Sequence, residues 1–351
     1  MLSPEKLWED VLGVIQKEIS KPSYETWLVH LKPIAYKNDT FYIQAKDSRT
    51  KAWIEDHYTN VISKEMERIT GRAVNVAVTL TDDSAAVDAI NWSELKDEAI
   101  SFVMEAAERI RTVEREQLHI DTKQDADDLV TDKDIEVQRI LTEKITRNYP
   151  NHHIVGEEGD EAYVDPHAVT WFIDPIDGTT NFVHQAMNYA ISIGIYQGGV
   201  GHIGIIYDVR ANEWFTAVRG QGAYVNGKRL PKRRPVRFDQ AIIGFNARWL
   251  VGRADEKMKD AFANIVREVR AVRSYGSAAL ESAYVAAGRL DAYVSLRLSP
   301  WDYAAAAVLL EETGGACCQL DGGVLHFDRE CTYLAADEQV KTKMLAYLNE
   351  T

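Results

Sequence analysis

Apolar residues early in the chain recur at helical spacing. Leu7, Trp8, Val11, Leu12 and Ile15 share one face, Ser3 suits the N-cap and Pro4 the first helical position, so a helix is predicted over 3–20. Pro22 opens a shorter helix carrying Tyr24, Trp27 and Leu28. Alternation then replaces the helical period. Ile34–Tyr36 and Thr40–Ala45 read as strands joined by an Asn38-Asp39 turn. Ala52, Trp53, Ile54, Tyr58, Val61, Ile62, Met66 and Ile69 predict one long helix that Gly71 stops, and Val74–Leu80 reads as a third strand. Residues 1–80 thus make a small α/β unit of a size that can fold alone. The small, polar run from Thr81 to Ala89 makes 81–90 a linker.

A second domain is expected over 91–351. Asn91 or Ser93 caps a helix that buries Leu95, Ala99, Val103 and Ala106. A polar loop leads to Leu129-Val130-Thr131 and a helix reaching about Asn148, and Asn151–Val155 is a strand ending at Gly156-Glu157-Glu158. Val169–Ile173 reads as a buried strand that finishes at Asp174. Further strands are predicted at Tyr189–Gln197, His202–Asp208, Glu213–Val218 and Ala292–Ser295, with a hairpin around Asn226-Gly227. Helices are predicted at about 255–269, 277–288 and Trp301–Glu312. Strands and helices interleaved over such a length indicate a layered α/β or α+β fold.

Composition narrows the function. A hydrophobic content of 46% over 351 residues supports a substantial core, while a net charge of −14 argues against direct nucleic-acid or anionic-membrane binding. No apolar run approaches the roughly 20 residues of a membrane span. The opening Met-Leu-Ser-Pro-Glu-Lys lacks the charged-then-apolar pattern of a secretion signal. Cys317, Cys318 and Cys331 fit no zinc spacing and read as reduced thiols of a cytoplasmic protein.

The candidate chemistry centres on Asp174-Pro175-Ile176-Asp177-Gly178-Thr179-Thr180. Two carboxylates three residues apart stand at a strand end, Pro175 stiffens the turn, and Gly178 allows close backbone approach to a ligand. Hard divalent cations take oxygen ligands, and Mg²⁺ is commonly held by a few carboxylates together with substrate phosphate oxygens. The amides of Gly178 and Thr179, at a predicted helix start, add an anion site. Further pieces lie elsewhere: Glu157 and Glu158 after a strand, Asp302 in the first turn of a helix, and Asp134 and Lys123 around the 129–131 segment. Each alone also fits surface charge or helix capping.

Together these residues resemble the inositol monophosphatase family of magnesium-dependent, lithium-sensitive phosphatases. The resemblance covers residues from about 92 onward and rests on Trp171-Phe-Ile-Asp-Pro-Ile-Asp-Gly-Thr-Thr-Asn-Phe182 and Trp301-Asp-Tyr-Ala-Ala-Ala306. It implies a layered αβαβα sandwich, a homodimer, two or three Mg²⁺ per site, and Li⁺ as inhibitor. It makes Glu157, Asp174 and the Ile176 carbonyl ligands of one metal and Asp174, Asp177 and Asp302 ligands of a second, with a third leaning on Glu157. It makes Thr179, with Glu157 and Asp134, the group that activates water, and Lys123 an electrostatic neighbour. It places Gly178 and Thr179 on the phosphate, and Gly276, Ser277 and Ala278 on the sugar side with Asp177 and Asp302.

Specificity is where the pattern departs. Members preferring inositol phosphates carry a glutamate seven residues before the Trp-Asp aspartate; here the position is Ser295. Arg297, if directed inward, would welcome a second anionic group. The resemblance makes inositol 1-phosphate the expected substrate, while Ser295 and Arg297 keep NADP 2′-phosphatase and fructose-1,6-bisphosphate 1-phosphatase as alternatives. The basic cluster Lys228-Arg229 and Lys232-Arg233-Arg234 reads as a solvated loop. Residues 1–80 resemble the N-terminal domain of the replication initiator DnaA through Leu7-Trp8, Ser20–Trp27 and Trp53-Ile-Glu-Asp-His-Tyr58. That implies a KH-like docking domain for a replication protein. Nothing following it resembles the initiator's ATPase, and no Gly-x-x-x-x-Gly-Lys-Ser/Thr loop occurs. An idle fusion partner, or conversely an interaction protein on an idle phosphatase scaffold, are the rival readings.

Overall fold

The computed structural model describes residues 4–18, 24–37, 40–46, 48–72, 74–80, 90–111, 113, 118–122, 129–159, 168–248 and 255–349. The chain forms two compact units, residues 1–90 and 91–351. In the first, helix α1 (Pro4–Glu18) buries Leu7, Trp8, Val11 and Ile15. Where a helix from Pro22 was expected, the described part is a single wide turn, Tyr24–Leu28. Strands β1 (Lys32–Lys37) and β2 (Thr40–Ala45) pair antiparallel. The long helix expected over 48–70 is two, α2 (Ser48–His57) and α3 (Thr59–Thr70), because Tyr58 leaves helical geometry at φ −124° and ψ −17°. The bend keeps both segments on the sheet: Ile54 before it and Ile62 and Met66 after it are fully buried. Gly71, in the left-handed region at φ 70°, ends α3, and β3 (Asn75–Leu80) runs parallel to β2.

The second unit begins with α4 (Trp92–Ala107), capped by the Asn91 side chain, which accepts from Glu94 N–H at 3.3 Å. The short strands β4 (Ile120–Thr122) and β5 (Leu129–Thr131) pair with each other, and α5 (Asp132–Asn148) follows. Next come β6 (His153–Gly156), β7 (Val169–Asp177), the short helix α6 (Thr179–Gln185), β8 (Ala190–Gln197), β9 (Val200–Asp208), β10 (Glu213–Val218), β11 (Gly222–Val225) and β12 (Lys228–Arg229). These strands form a seven-stranded sheet in the order β12-β11-β10-β9-β8-β7-β6. The chain continues through β13 (Ile242–Phe245), α7 (Glu256–Glu268), β14 (Ala271–Arg273), α8 (Ala278–Ala286), β15 (Ala292–Leu298), α9 (Pro300–Thr313), β16 (Ala316–Cys318), β17 (Cys331–Ala336) and α10 (Glu338–Asn349). A five-stranded sheet, β14-β13-β15-β17-β16, results.

The layers are αβαβα. Helices α4 and α5 cover the outer face of the large sheet, α8 and α9 fill the space between the sheets, and α7 and α10 close the far side. Helix α9 sits unusually close to its sheet. Gly194 and Gly204 are cross-strand partners on β8 and β9. A methyl at Gly194 would lie 2.6 Å from the Ala304 Cβ, and one at Gly204 would overlap the Ala305 carbonyl. The two glycines form a notch that receives the helix backbone.

Candidate active site

Three elements deliver carboxylates to one place. Strand β7 does not stop at Asp174 as the apolar run suggested. It continues to Asp177 through an irregularity, pairing Asp174 with Ser192 and Asp177 with Ala190, so β7 spends three steps where β8 spends two. In a regular strand, residues three apart face opposite ways; the extra residue of a bulge turns both aspartates to one side. Pro175, which has no N–H to offer a ladder, sits inside the bulge. Strand β6 lies parallel to β7 with Gly156 beside Ile173, and Glu157 N–H donates to the Ile173 carbonyl at 3.1 Å. Parallel pairing therefore brings Glu157 out at the same end as Asp174. Helix α9 adds Asp302, whose Oδ2 accepts from Ser299 N–H at 2.7 Å in its first turn.

One oxygen from each of Asp174, Asp177 and Asp302 lies within 4.8 Å of the others. Burial, then the charges of Glu157, Asp177 and Asp302, holds the Asp174 carboxyl well above the usual carboxylate range. Burial, then the charges of Asp177 and Glu157, does the same to Asp302. Burial pushes Asp177 up to about 6 against hydrogen bonds that favour its ionised form. Crowded, largely buried carboxylates are costly without a cation between them. An all-oxygen donor set of this kind fits Mg²⁺ in hardness and charge.

Asp177 is held from behind by the start of α8. Ser277 Oγ donates to its Oδ2, Ala279 N–H donates to Oδ2 at 2.7 Å, and Ala278 N–H donates to Oδ1 at 3.1 Å. Asp134, buried on α5, accepts at Oδ2 from Thr131 N–H at 2.8 Å and Thr131 Oγ at 2.5 Å. Its other oxygen lies 3.2 Å from Thr179 Oγ1, which is also 3.0 Å from the Ile176 carbonyl. The single hydroxyl proton serves one acceptor at a time. Burial, opposed by the Thr131 bonds and reinforced by Glu157 and Glu158, pushes Asp134 up to about 6.

Two expected residues make their contacts on or beside their own strand. The Ser295 side chain is buried and donates to the Arg297 carbonyl at 3.0 Å, a contact within its own strand. Arg297 does not turn inward: its guanidinium forms a two-pronged pair with Glu330, Nε to Oε2 at 2.7 Å and Nη2 to Oε1 at 2.8 Å, with both side chains nearly half exposed. An available carboxylate across β15 wins over the interior. Lys123 lies outside the described residues. Conversely, the pattern missed three supports. Gln138 packs its amide onto Gly156, where any Cβ would overlap it. Asn181 Nδ2 donates to the carbonyls of Asn188 at 2.8 Å and Tyr275 at 2.6 Å. Glu281 accepts two backbone N–H groups from the turn before α8. The available signal for Glu281 was a lone acid in the small, apolar run Ala278-Ala-Leu-Glu-Ser-Ala-Tyr-Val-Ala286.

The family model for the inositol monophosphatase family matches residues 91–351, and the DnaA N-terminal domain model matches residues 5–67. The inositol-1-monophosphatase of Bacillus subtilis is 44% identical over 263 residues, covering 74% of this chain and 98% of its own length. The crystal structure of inositol monophosphatase II from Staphylococcus aureus superposes with a TM-score of 0.66 at 37% identity, covering 73% of this chain and 96% of that one. SaIMPase-II with 2′-AMP bound gives the same TM-score and identity over 73% and 95%. The sandwich and these likenesses define a phosphoric monoester hydrolase. The chain belongs to the inositol monophosphatase family.

Proposed function

We propose that residues 91–351 carry out Mg²⁺-dependent hydrolysis of a small phosphate monoester, with inositol 1-phosphate as the first candidate. The observation that carries this reading is the convergence of Asp174, Asp177 and Asp302 beside the Asp134–Thr179 pair. In this reading Glu157, Asp174 and the Ile176 carbonyl hold one Mg²⁺, and Asp174, Asp177 and Asp302 a second, with Glu157 contributing to a third. Bound Mg²⁺ supplies Lewis-acid chemistry, offsetting the charge of the phosphoryl oxygens, acidifying water and stabilising the leaving alkoxide. The protein's own part is positioning and proton movement. Thr179 Oγ1 takes a proton from the attacking water as its own passes to Asp134 Oδ1, a carboxylate whose raised value suits a general base. The Gly178 and Thr179 amides orient the phosphate, and Gly276, Ser277 and Ala278 border the alcohol.

Replacing a glutamate by Ser295 removes a negative charge from the sugar side, which widens acceptance toward nucleotide phosphates such as NADP. The 2′-AMP complex of SaIMPase-II supports that breadth. The Arg297–Glu330 pair weakens the case for fructose 1,6-bisphosphate, whose second phosphate lacks the expected cation. We further read the catalytic unit as a cytoplasmic homodimer and residues 1–80 as a docking module for a replication protein.

The test is phosphate release from inositol 1-phosphate, NADP and fructose 1,6-bisphosphate, with and without Mg²⁺ and Li⁺. Release should require Mg²⁺, fall with Li⁺ and rank the bisphosphate last. Asp177→Asn should lower turnover at least about 100-fold with thermal unfolding intact. Unimpaired turnover by that variant would refute the metal assignment.

A further inference from the structure

The peptide joining Tyr275 to Gly276 is gripped from two helices. From α6, Asn181 Nδ2 donates to its carbonyl oxygen at 2.6 Å. From α8, Glu281 Oε1 accepts from its N–H, that of Gly276, at 3.0 Å and from the preceding Tyr275 N–H at 2.8 Å. Gly276 stands at φ 76°, a conformation strained for any other residue, and a methyl there would lie 3.0 Å from Asn181 Nδ2 and press on that contact. Glu281 is 3% exposed, and its second oxygen is buried with no hydrogen-bond partner among the described residues, in a slot left open by Gly244. A carboxylate kept in such a place is costly, and a leucine would pack the slot better. The compensating gain is control of the turn, and the next three residues are the ones that donate to Asp177.

We propose that Glu281 is a positioning residue for Asp177: with Asn181 it locks the Tyr275–Gly276 peptide, and so aims the Ser277, Ala278 and Ala279 donors at that carboxylate. The inference rests on the reading of Asp177 as a metal ligand. Outer contacts of this kind commonly govern metal affinity by about 10–100-fold. Glutamine at 281 keeps one acceptor oxygen but without charge, and methionine removes acceptance at similar volume.

The experiment is calorimetric titration of the full chain with Mn²⁺, without substrate, for wild type, E281Q and E281M, alongside thermal unfolding. Mn²⁺ affinity should fall about 10–100-fold in E281M. In E281Q it should fall about threefold, as a charge-assisted bond becomes neutral, while cooperative unfolding is kept. Wild-type affinity in a folded E281M overturns the inference, even if its unfolding temperature drops, since that is the mark of a purely structural role. If E281M does not fold, E281Q decides: an unchanged affinity overturns the inference and the expected fall supports it. A wild-type chain that takes up no Mn²⁺ removes the metal reading itself, whereas equal binding by wild type and variant removes only the role of Glu281.

Discussion

Gly178 leaves little freedom at the turn that carries Asp177. It stands at φ 93°, and a Cβ there would come 3.0 Å from the Asn188 carbonyl and 3.2 Å from that of Gly276. Gly178→Ala should cost about 2–3 kcal/mol, the left-handed penalty plus overpacking. Turnover should drop at least about tenfold, since displacing groups that position the reacting centre is expensive. Urea unfolding and phosphate release check both, and wild-type behaviour in either would show that the turn yields freely. Some of this site is legible in sequence because its residues come as short runs: Asp174 to Thr179, Glu157-Glu158, Trp301-Asp302. Asn181 is not legible as a support, because no spacing rule reports a backbone acceptor 94 residues away, and Glu281 shows only as a lone acid whose backbone donors, five and six residues before it, the pattern does not name. Arg297 shows the opposite failure. Its charge is legible, but its direction is set by Glu330, 33 residues on.

At the scale of elements, the bulge in β7 decides which face Asp177 occupies. Pro175→Ala should therefore be mild, costing about 1–2 kcal/mol for lost packing and rigidity with turnover largely kept. Deleting Ile176 should instead restore regular alternation with Asp177 two steps from Asp174 and still on its face, but it removes the carbonyl that Thr179 Oγ1 contacts, and should lower turnover at least about 100-fold in a chain that still unfolds cooperatively. Equal turnover by the two variants would dissociate the bulge from the site. The bulge escapes a sequence reading because an apolar run followed by Asp-Pro looks like a strand end. The break at Tyr58 escapes for a related reason: helical periodicity survives a bend, so the apolar positions of α2 and α3 read as one helix. Strands β13, β14 and β16, three or four residues each, are too short for alternation to declare itself.

For the whole catalytic unit, the raised carboxylates link protons, cations and stability. Asp134 and Asp177 are pushed up to about 6 and Glu281 to about 7, all by burial first, with Asp174 and Asp302 well above their ordinary values. Each binds a proton more readily folded than unfolded, so the native state holds more protons between about pH 4 and pH 7 and stability falls as pH rises through that window. Asp134 alone accounts for a difference on the order of 3 kcal/mol. In calorimetry without divalent cations, the transition of the catalytic unit should sit roughly 5–10 °C higher at pH 5.5 than at pH 8. Mg²⁺ should narrow that gap from the alkaline side. A metal-free transition that rises with pH would contradict the linkage. The notch made by Gly194 and Gly204 bears on this same cluster from a distance. Because α9 rests directly on the strand backbones, Asp302 owes its reach to two missing methyl groups, neither on a charged residue. A search for tolerated substitutions would meet its hardest limit there, among the plainest residues of the sheet. The dimensions of the reaction centre are gauged by empty space as much as by its acids.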